Sequence, residues 1–238
     1  MKTFFFTHFF ILSVTLFSTS YNAFAGTTKL DIKSELSDAE IRQLEGREFI
    51  VRTKDIPGSA WPEITYYALI NATPLESVGL FAAYDIQKDY TPNLLKSTPV
   101  KHVSPTDVQT EYELHIPFPL SNARYIHGAR IFKHADDYEV QWYMVESSSS
   151  EDVHGGAYFQ NYNGKTLLRY RTYVKPKSIF GSFVKKFMFK DVEKSIVAIR
   201  TFIERTVKEN SALSSKYSEF ITRALRGEFV YQTIIDKK

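Results

Sequence analysis

The stretch YELHIPFPLSNARYIHGARIF, residues 112–132, decides how the middle of this chain folds. Its two ends alternate apolar and polar residues, as β-strands do, while Pro117 and Pro119 flank Phe118 in the centre. Proline cannot donate a hydrogen bond to a β-ladder, so the two prolines end the strand pairing and stiffen a corner. Phe118 would then either close one end of a cavity or serve only as part of that rigid corner.

Alternating segments of the same kind continue on both sides of this corner. Each junction between them carries turn-forming residues, for example Asp136-Asp137 and Asn163-Gly164, and Asn-Gly is the strongest two-residue hairpin signal. Consecutive strands joined by short turns pair antiparallel. The pattern therefore predicts a six-strand meander, with strands at 100–104, 108–116, 123–133, 138–146, 153–162 and 165–174.

Two helices and a further strand are predicted before the meander. Residues 63–71, EITYYALIN, alternate like a strand. Thr73 follows as a helix N-cap, with Pro74 at the first helical position and Glu76 placed to complete a capping box. An earlier segment, LSDAEIRQLEG at residues 36–46, predicts a short helix capped by Ser37 or Asp38.

Helical periodicity returns after residue 178. Apolar residues first form one stripe from Ile179 to Met188, and a second stripe, rotated from the first, begins at Val192. The change predicts a kink or a helix restart near Asp191, with Asp191 as N-cap. A separate apolar helix face follows in the last 28 residues, made of Leu213, Tyr217, Phe220, Ile221 and Ala224.

The first 25 residues have the pattern of a secretory signal peptide. Lys2 precedes an apolar run that is shorter than the ~20 residues of a transmembrane helix, and Ala23-Phe24-Ala25 resembles a signal-peptidase site. We expect cleavage after Ala25 and a periplasmic or secreted protein. The chain has no cysteine, so an exported form would be held together by packing without disulfides.

Composition and motifs exclude several function classes. The formal net charge of the 238-residue chain is only +3, without a basic patch, and we therefore expect no nucleic-acid partner. The sequence lacks the motifs of serine hydrolases, zinc proteases, P-loop proteins and dinucleotide-binding proteins, so no catalytic residue and no cofactor is predicted. Metal-site spacing is not recognisable among His102, His115, His127, His134 and His154.

The order of elements, together with HIPFPLSNARY at residues 115–125, resembles the START-like, polyketide-cyclase-like (SRPBCC) superfamily. Bacterial members commonly have the pattern that Ile116, Pro117, Phe118, Pro119, Leu120, Ser121, Arg124 and Tyr125 form here. The resemblance implies an α+β helix-grip fold, in which a curved antiparallel sheet wraps around a long C-terminal helix. Phe118 departs from the tryptophan that many relatives have, and residues 211–238 extend past the usual last helix.

This resemblance gives a domain organisation and an internal cavity. It divides the chain into a signal peptide (1–25), a helical lead-in (26–61), the helix-grip domain (62–209) and a C-terminal helical extension (210–238). Strand parity supplies an inward, mostly apolar face with scattered hydroxyls. The predicted ligand-binding residues are Phe81, Tyr84, Tyr112, Leu114, Ile116, Phe118, Val140, Trp142, Met144, Phe159, Tyr170, Thr172, Phe183 and Phe187.

Two further residues are candidates for a polar group in the cavity. If the corner is centred near Leu120, His127 lies almost across from Glu113, which could orient or charge its imidazole; otherwise the two form an exposed pair without function. Arg130 would either neutralise an acidic head group inside the cavity or pair with Glu139 or Glu111 on the solvent face.

A membrane contact is predicted at the start of the long helix. Phe189 lies about half a turn from Phe180, on the outward side and among Lys185, Lys186 and Lys190. An aromatic ring surrounded by lysines can contact an anionic bilayer. Alternatively, the C-terminal segment covers Phe189.

The expected function is binding or carriage of a lipid-like or other hydrophobic small molecule between the sheet and the C-terminal helix. The first alternative is a cyclase or aromatase acting on a hydrophobic substrate in the same cavity, with His127, Tyr112 and Tyr170 shaping the reaction. The second is an interaction module with a vestigial cavity. No sequence feature indicates an oligomeric state.

Overall fold

Eight antiparallel strands form one open, curved sheet in the computed structural model, which describes residues 29–59, 61–118, 121–177 and 181–234, with the backbone alone at 181–188 and 191. The signal-peptide prediction lies outside these residues. The strands run in the order β1-β2-β8-β7-β6-β5-β4-β3, so β1 and β3 are the edges. Their bounds are Ile50–Lys54 (β1), Glu63–Ile70 (β2), Leu94–Ser104 (β3), Asp107–Leu114 (β4), Ala123–His134 (β5), Asp137–Ser147 (β6), Ser150–Tyr162 (β7) and Lys165–Pro176 (β8).

The predicted six-strand meander is confirmed as β3 to β8, in which each strand pairs with the next. Asn163 and Gly164 join β7 to β8 with φ angles of 52° and 78°, the left-handed values that a two-residue hairpin turn requires. The strand β1 was not predicted. Its residues follow a helix without clear alternation, and pairing with β2 makes the predicted helical lead-in part of the same sheet.

Among the described residues, four α-helices accompany the sheet: α1 (Asp38–Glu45), α2 (Pro74–Phe81), α3 (Gly181–Glu209) and α4 (Ser211–Leu225). The predicted capping box of α2 is present, and α1 has the predicted cap at Ser37, here also as a capping box. Ser37 caps α1 with Glu40, and Thr73 caps α2 with Glu76, with Pro74 in the first turn. Each cap satisfies backbone N–H groups that the helix itself leaves free.

The principal core lies between one face of the sheet, which we call the helix-side face, and helices α2, α3 and α4. A smaller core on the opposite face packs Ile32 and Leu44 against Tyr67, Tyr158 and Leu167. The charged positions on this opposite face predict contact with water, but the N-terminal segment covers part of it. At one of them, Arg169, the guanidinium is paired with Glu35 of the N-terminal segment at 2.7 Å.

Helix α3 runs without interruption from Gly181 to Glu209, so the predicted restart at Asp191 is wrong. The reason is visible in the spacing. Alternating steps of three and four residues continue through that point and place one stripe against the core, consisting of Phe189, Val192, Ile196, Ile199 and Ile203. Towards the end of α3, Glu204 accepts hydrogen bonds from Arg47 and from the Asn71 backbone, which ties the helix to the sheet.

The C-terminal extension is part of the principal core. Tyr217 and Ile221 of α4 are fully buried, and the Tyr217 hydroxyl donates to Asp85 at 2.8 Å. Gly79 allows α2 and α4 to approach closely, since an added Cβ would lie 2.9 Å from the α4 backbone. The residues after α4 form a strap, 226–234, whose Tyr231 is buried and hydrogen-bonded to the Ala82 carbonyl and to His102.

Candidate ligand-binding site

The helix-side face is sealed at one end and partly accessible at the other. Phe159, Val140 and Ala157 are almost completely buried beneath α2, as a filled core should be. Towards the corner, six side chains on β4, β5, β6 and β8 keep accessible surface. We call this set the aromatic patch; it consists of Tyr112, Tyr125, His127, Trp142, Met144 and Tyr170.

The polar members of the aromatic patch lie deep in the molecule although they are accessible. Burial raises the pKa of Tyr112 well above its usual range and that of Tyr170 to about 12. Burial alone lowers the pKa of His127 to about 4, because a charged imidazole would lose its hydration. These side chains are therefore deeply placed and yet keep accessible surface.

Ring contacts fix the shape of the aromatic patch. The Tyr125 ring lies 4.4 Å from His127 and 5.2 Å from Tyr112, while Trp142 and Tyr170 are 5.0 Å apart, all measured between ring centroids. Phe81 of α2 contacts Trp142 and Tyr170 on one side and Phe159 on the other. It therefore marks the boundary between the filled core and the aromatic patch.

Gly155 determines where the Trp142 indole lies. The two residues face each other across β6 and β7, and a Cβ at position 155 would be 2.5 Å from the indole and 2.3 Å from the Arg171 carbonyl oxygen. Only glycine permits this approach. The indole can therefore lie across β7.

Three buried polar atoms near the aromatic patch, one of them Thr110 Oγ1, have no hydrogen-bond partner. Tyr112 donates its hydroxyl to Gln87 at 2.7 Å and is satisfied. By contrast, His127 Nε2 and the Tyr84 hydroxyl are buried without a partner. A buried unpaired polar group costs roughly 1–3 kcal/mol, so each such atom calls for an explanation.

Most of the predicted cavity residues lie on the helix-side face, but in two environments. Phe81, Tyr84, Val140, Phe159 and Thr172 are buried in the filled core. Tyr112, Leu114, Trp142, Met144 and Tyr170 keep accessible surface at the patch end. The side chains of Phe183 and Phe187 lie outside the described residues, so their place in the site stays a prediction.

The corner differs from the prediction in two respects. Phe118 is 93% exposed, so it does not close the cavity, and β4 ends at Leu114. Ile116 lies in an open groove of ≈ 600 Å³ beside this corner. The register of β4 and β5 is centred between positions 118 and 119, and not on Leu120 as predicted. Every cross-strand partner therefore differs from the predicted one.

This shift changes the partners of both candidate polar residues. His127 lies opposite Thr110 and Met144, while Glu113 pairs with Arg124, so the predicted His127–Glu113 pair is wrong. Arg130 points away from the helix-side face and binds Asp107 at 2.6 Å, with Tyr143 also donating to that carboxylate. The solvent-face alternative for Arg130 is therefore right in location, although Glu139 and Glu111 are not its partners.

Phe189 is partly buried and packs against the principal core, which corrects its predicted outward position. The prediction measured its angle from Phe180, whereas the uninterrupted helix places it in line with Val192 and Ile196. Lys190 is exposed, and the side chains of Lys185 and Lys186 lie outside the described residues. Within the described part of the chain, no helix is long and apolar enough to span a bilayer.

A second open groove of ≈ 690 Å³ runs along the outer side of α3. It is lined by charged residues such as Lys194 and Arg205 and by the stacked rings of Tyr90 and Phe202, whose centroids are 4.0 Å apart. Over the ranges that the structure describes, no group of three histidine, cysteine or acidic residues is arranged to hold a metal ion.

Sequence reasoning missed Tyr125 and Gly155. Extending the strand parity to β5 would have placed Tyr125 beside His127, since alternate residues share a face. The paired glycines at 155 and 156, in the middle of a predicted strand, were the other available signal, because strand glycines often mark a close approach by another group.

No protein-family model matches the sequence, and a search of curated proteins finds no match. Solved structures do match the fold. A STAR-related lipid transfer protein from Xanthomonas axonopodis has a TM-score of 0.59 and 13% identity, covering 65% of this chain and 93% of that one.

Two further matches have similar extents. Human StAR-related lipid transfer protein 5 has a TM-score of 0.56 and 10% identity, covering 72% of this chain and 94% of that one. The Zhui aromatase/cyclase from Streptomyces sp. R1128 has a TM-score of 0.52 and 7% identity, covering 62% and 96%. This likeness shows that the chain has the START-like helix-grip fold.

Proposed function

We propose that this chain, with its START-like helix-grip fold, binds a hydrophobic, lipid-like molecule against the aromatic patch. The observation that carries the proposal is the accessible surface kept by deeply placed rings on the helix-side face. Aromatic and apolar side chains around a few polar atoms are typical of small-molecule sites. The lipid transfer proteins that share the fold support the same ligand class.

Binding without catalysis is the form that the site supports. A histidine with a pKa of about 4 is neutral at pH 7 and is a poor general acid or base there, since the best catalytic pKa lies near the working pH. The tyrosines Tyr112 and Tyr170 are also held in their neutral forms by burial. The polar groups of the site are therefore suited to hydrogen bonding with a ligand.

Fluorescence of the neutral probe N-phenyl-1-naphthylamine tests the proposal. We expect saturable binding to the purified protein and loss of most of it in Met144→Trp, because the added ring would fill the space beside the aromatic patch. Val145→Trp is the matched control, since Val145 is exposed and its variant adds the same ring outside the site. Absence of probe binding, or equal binding by both variants, would contradict the proposal.

Native mass spectrometry of protein purified from its own host addresses the natural ligand. A co-purifying lipid is the expected result, and its mass gives the lipid class directly. A chain that carries no small molecule in its natural setting and binds no probe in vitro would fit an interaction module.

The same proposal includes export. The N-terminal pattern Ala23-Phe24-Ala25 supports cleavage after Ala25, and the lack of cysteine fits either side of the membrane. Fractionation of the host, followed by N-terminal sequencing of the protein, would test it. We expect an N-terminus at Gly26 and recovery from the periplasm or the medium.

A further inference from the structure

Beyond general hydrophobicity, the helix-side face shows which kind of head group it can accept. In the described strands β4, β5 and β6, one lysine lies on this face and no arginine or acidic residue does. The lysine is Lys133, exposed at the end of β5 away from the corner, with its ammonium 5.9 Å from the centroid of the Tyr138 ring. The uncharged positions are Val108, Thr110, Tyr112, Leu114, Tyr125, His127, Ala129, Ile131, Tyr138, Val140, Trp142 and Met144. A ligand against the aromatic patch thus meets hydroxyls and one imidazole from these strands.

Several charged residues on and beside these strands are engaged with protein partners. Arg130 and Asp107 form their ion pair on the opposite face, and Glu113 is paired with Arg124 at 3.2 Å. Asp85, in the loop after α2, accepts the Tyr217 hydroxyl. A carboxylate or phosphate placed against the aromatic patch would meet no counter-charge from β4, β5 or β6 at that end of the sheet, and burying an unpaired charge is strongly unfavourable.

His127 supplies the specific contact. Its ring lies in the centre of the aromatic patch, 4.4 Å from Tyr125 and 6.0 Å from Tyr112 between centroids, and its Nε2 atom is buried without a partner. Thr110, directly opposite in the register, is also uncharged. A single hydrogen-bonding group from a ligand would satisfy Nε2 in either tautomer if that group can both donate and accept, as a hydroxyl can.

We propose that the ligand of this site is an uncharged amphiphile with a hydroxyl head group, which forms a hydrogen bond with His127 Nε2 while its apolar part lies against Trp142 and Tyr170. This inference rests on the proposed function and narrows it. It assigns His127 to head-group recognition, and it excludes fatty acids and phospholipids as the preferred cargo, because their carboxylate or phosphate groups are charged.

Displacement of N-phenyl-1-naphthylamine by three ten-carbon probes tests the inference at pH 7.4. They are 1-decanol, the anion decanoate, and 1-chlorodecane, which lacks a hydroxyl. We expect 1-decanol to compete at an about tenfold lower concentration than decanoate. One hydrogen bond to a buried group is worth roughly 1 kcal/mol or more. His127→Leu should therefore weaken the binding of 1-decanol about tenfold and the binding of 1-chlorodecane less than twofold.

His127→Gln is a second variant, which keeps a hydrogen-bonding group and should retain part of the preference for 1-decanol. His115→Leu is the matched control, because His115 is exposed on the corner and its loss should leave all three probes unchanged. Failure of the fluorescent probe to bind the parent protein would overturn both proposals. Two results would overturn the head-group inference alone, provided that the fluorescent probe binds. One is a preference for decanoate over 1-decanol, and the other is an equal loss of affinity for 1-decanol and 1-chlorodecane in His127→Leu.

Discussion

Single residues on the helix-side face fall into two groups according to what covers them. Phe159 is completely buried, whereas Trp142 keeps accessible surface at the aromatic patch. The free energy lost on truncation depends on how much surface was buried and on the cavity left behind. Side chains of similar chemistry should therefore contribute differently to stability on the same sheet.

Phe159→Ala should lower the free energy of unfolding by about 3–5 kcal/mol, as is usual for a fully buried aromatic. Trp142→Ala should cost less than Phe159→Ala, although tryptophan is the larger residue, because part of its surface already borders open space. Urea denaturation of both variants measures the difference. An equal or larger cost for Trp142→Ala would mean that the interior beside it is filled.

Gly155 and Gly156 provide a comparison between neighbours. Gly155→Ala would force a Cβ to within 2.3 Å of the Arg171 carbonyl and 2.5 Å of the indole, whereas at position 156 the closest atom is 3.3 Å away. We expect Gly155→Ala to destabilise the protein by more than ~2 kcal/mol and Gly156→Ala by much less. Tryptophan fluorescence should shift only in Gly155→Ala, so similar spectra and stabilities for the two variants would contradict the assigned close contact.

The lowered pKa of His127 predicts a pH dependence of stability. Its pKa is about 4 in the folded protein against 6.5 ordinarily, so between these values the unfolded chain binds more protons at this site. Stability should therefore fall as the pH is lowered from 6.5 to 4, by about 1–3 kcal/mol from this residue. The facing side chains of Thr110, Tyr112, Tyr125 and Met144 do not titrate in that range.

Unfolding free energies of the parent and His127→Gln at pH 7 and pH 4.5 isolate this contribution. Carboxylates elsewhere titrate in both proteins and cancel in the comparison. We expect the free energy of unfolding to fall more between pH 7 and pH 4.5 in the parent than in His127→Gln. An equal fall in both proteins would show that the imidazole is solvated.

Among the elements, α2 is the one whose start was fully readable from the sequence. Thr73 accepts the N–H of Glu76, and the Glu76 carboxylate accepts the N–H and the hydroxyl of Thr73. Thr73→Ala should cost about 1 kcal/mol, while Thr73→Ser should keep most of the stability because its hydroxyl preserves the cap. Thermal or urea unfolding measures both, and an equal loss in the two variants would assign the effect to packing of the Thr73 methyl group.

The elements also show where sequence reasoning reached its limit. Local chemistry predicted the meander, the hairpin at Asn163-Gly164, the capping box of α2 and the cap of α1, because each depends on residues close together in the chain. The cross-strand partner of His127 depends on where the corner is centred. The prediction centred it near Leu120 and therefore gave Glu113 as the partner, whereas the structure gives Thr110. The rotation between the two apolar stripes wrongly predicted an interruption of α3. A single stripe from Phe189 to Ile203 crosses that point and keeps the helix continuous.

At the level of the whole molecule, the helix-grip fold followed from the order of elements and the resemblance, whereas the role of the C-terminal extension did not. Periodicity predicted an apolar face on α4 but could not say what it covers. In the structure, Tyr217 and Ile221 complete the principal core beside α2. The C-terminal extension therefore packs into the same core as the predicted domain that ends at residue 209.

Ending the chain after Gly227 should remove Tyr231 from the core and from its hydrogen bonds to Ala82 and His102. We expect a loss of stability of a few kcal/mol, as for other buried aromatic residues, with α4 still in place. Tyr231→Phe is the control that keeps the ring and removes only the hydroxyl, so it should cost much less. A truncated protein as stable as the parent would show that the strap is not part of the core.

An open sheet exposes two edges, and unpaired edge strands are templates for association with another chain. β1 is short and carries Arg52 and Lys54, while β3 contains Pro99 and three irregularities of register, and its His102 is covered by Tyr231 and Phe229 of the strap. Charge, brevity, irregularity and a covering segment are the means by which natural sheets avoid edge-to-edge aggregation. The strap that completes the core thus also protects an edge strand. Its loss would make the protein prone to edge-to-edge aggregation as well as less stable.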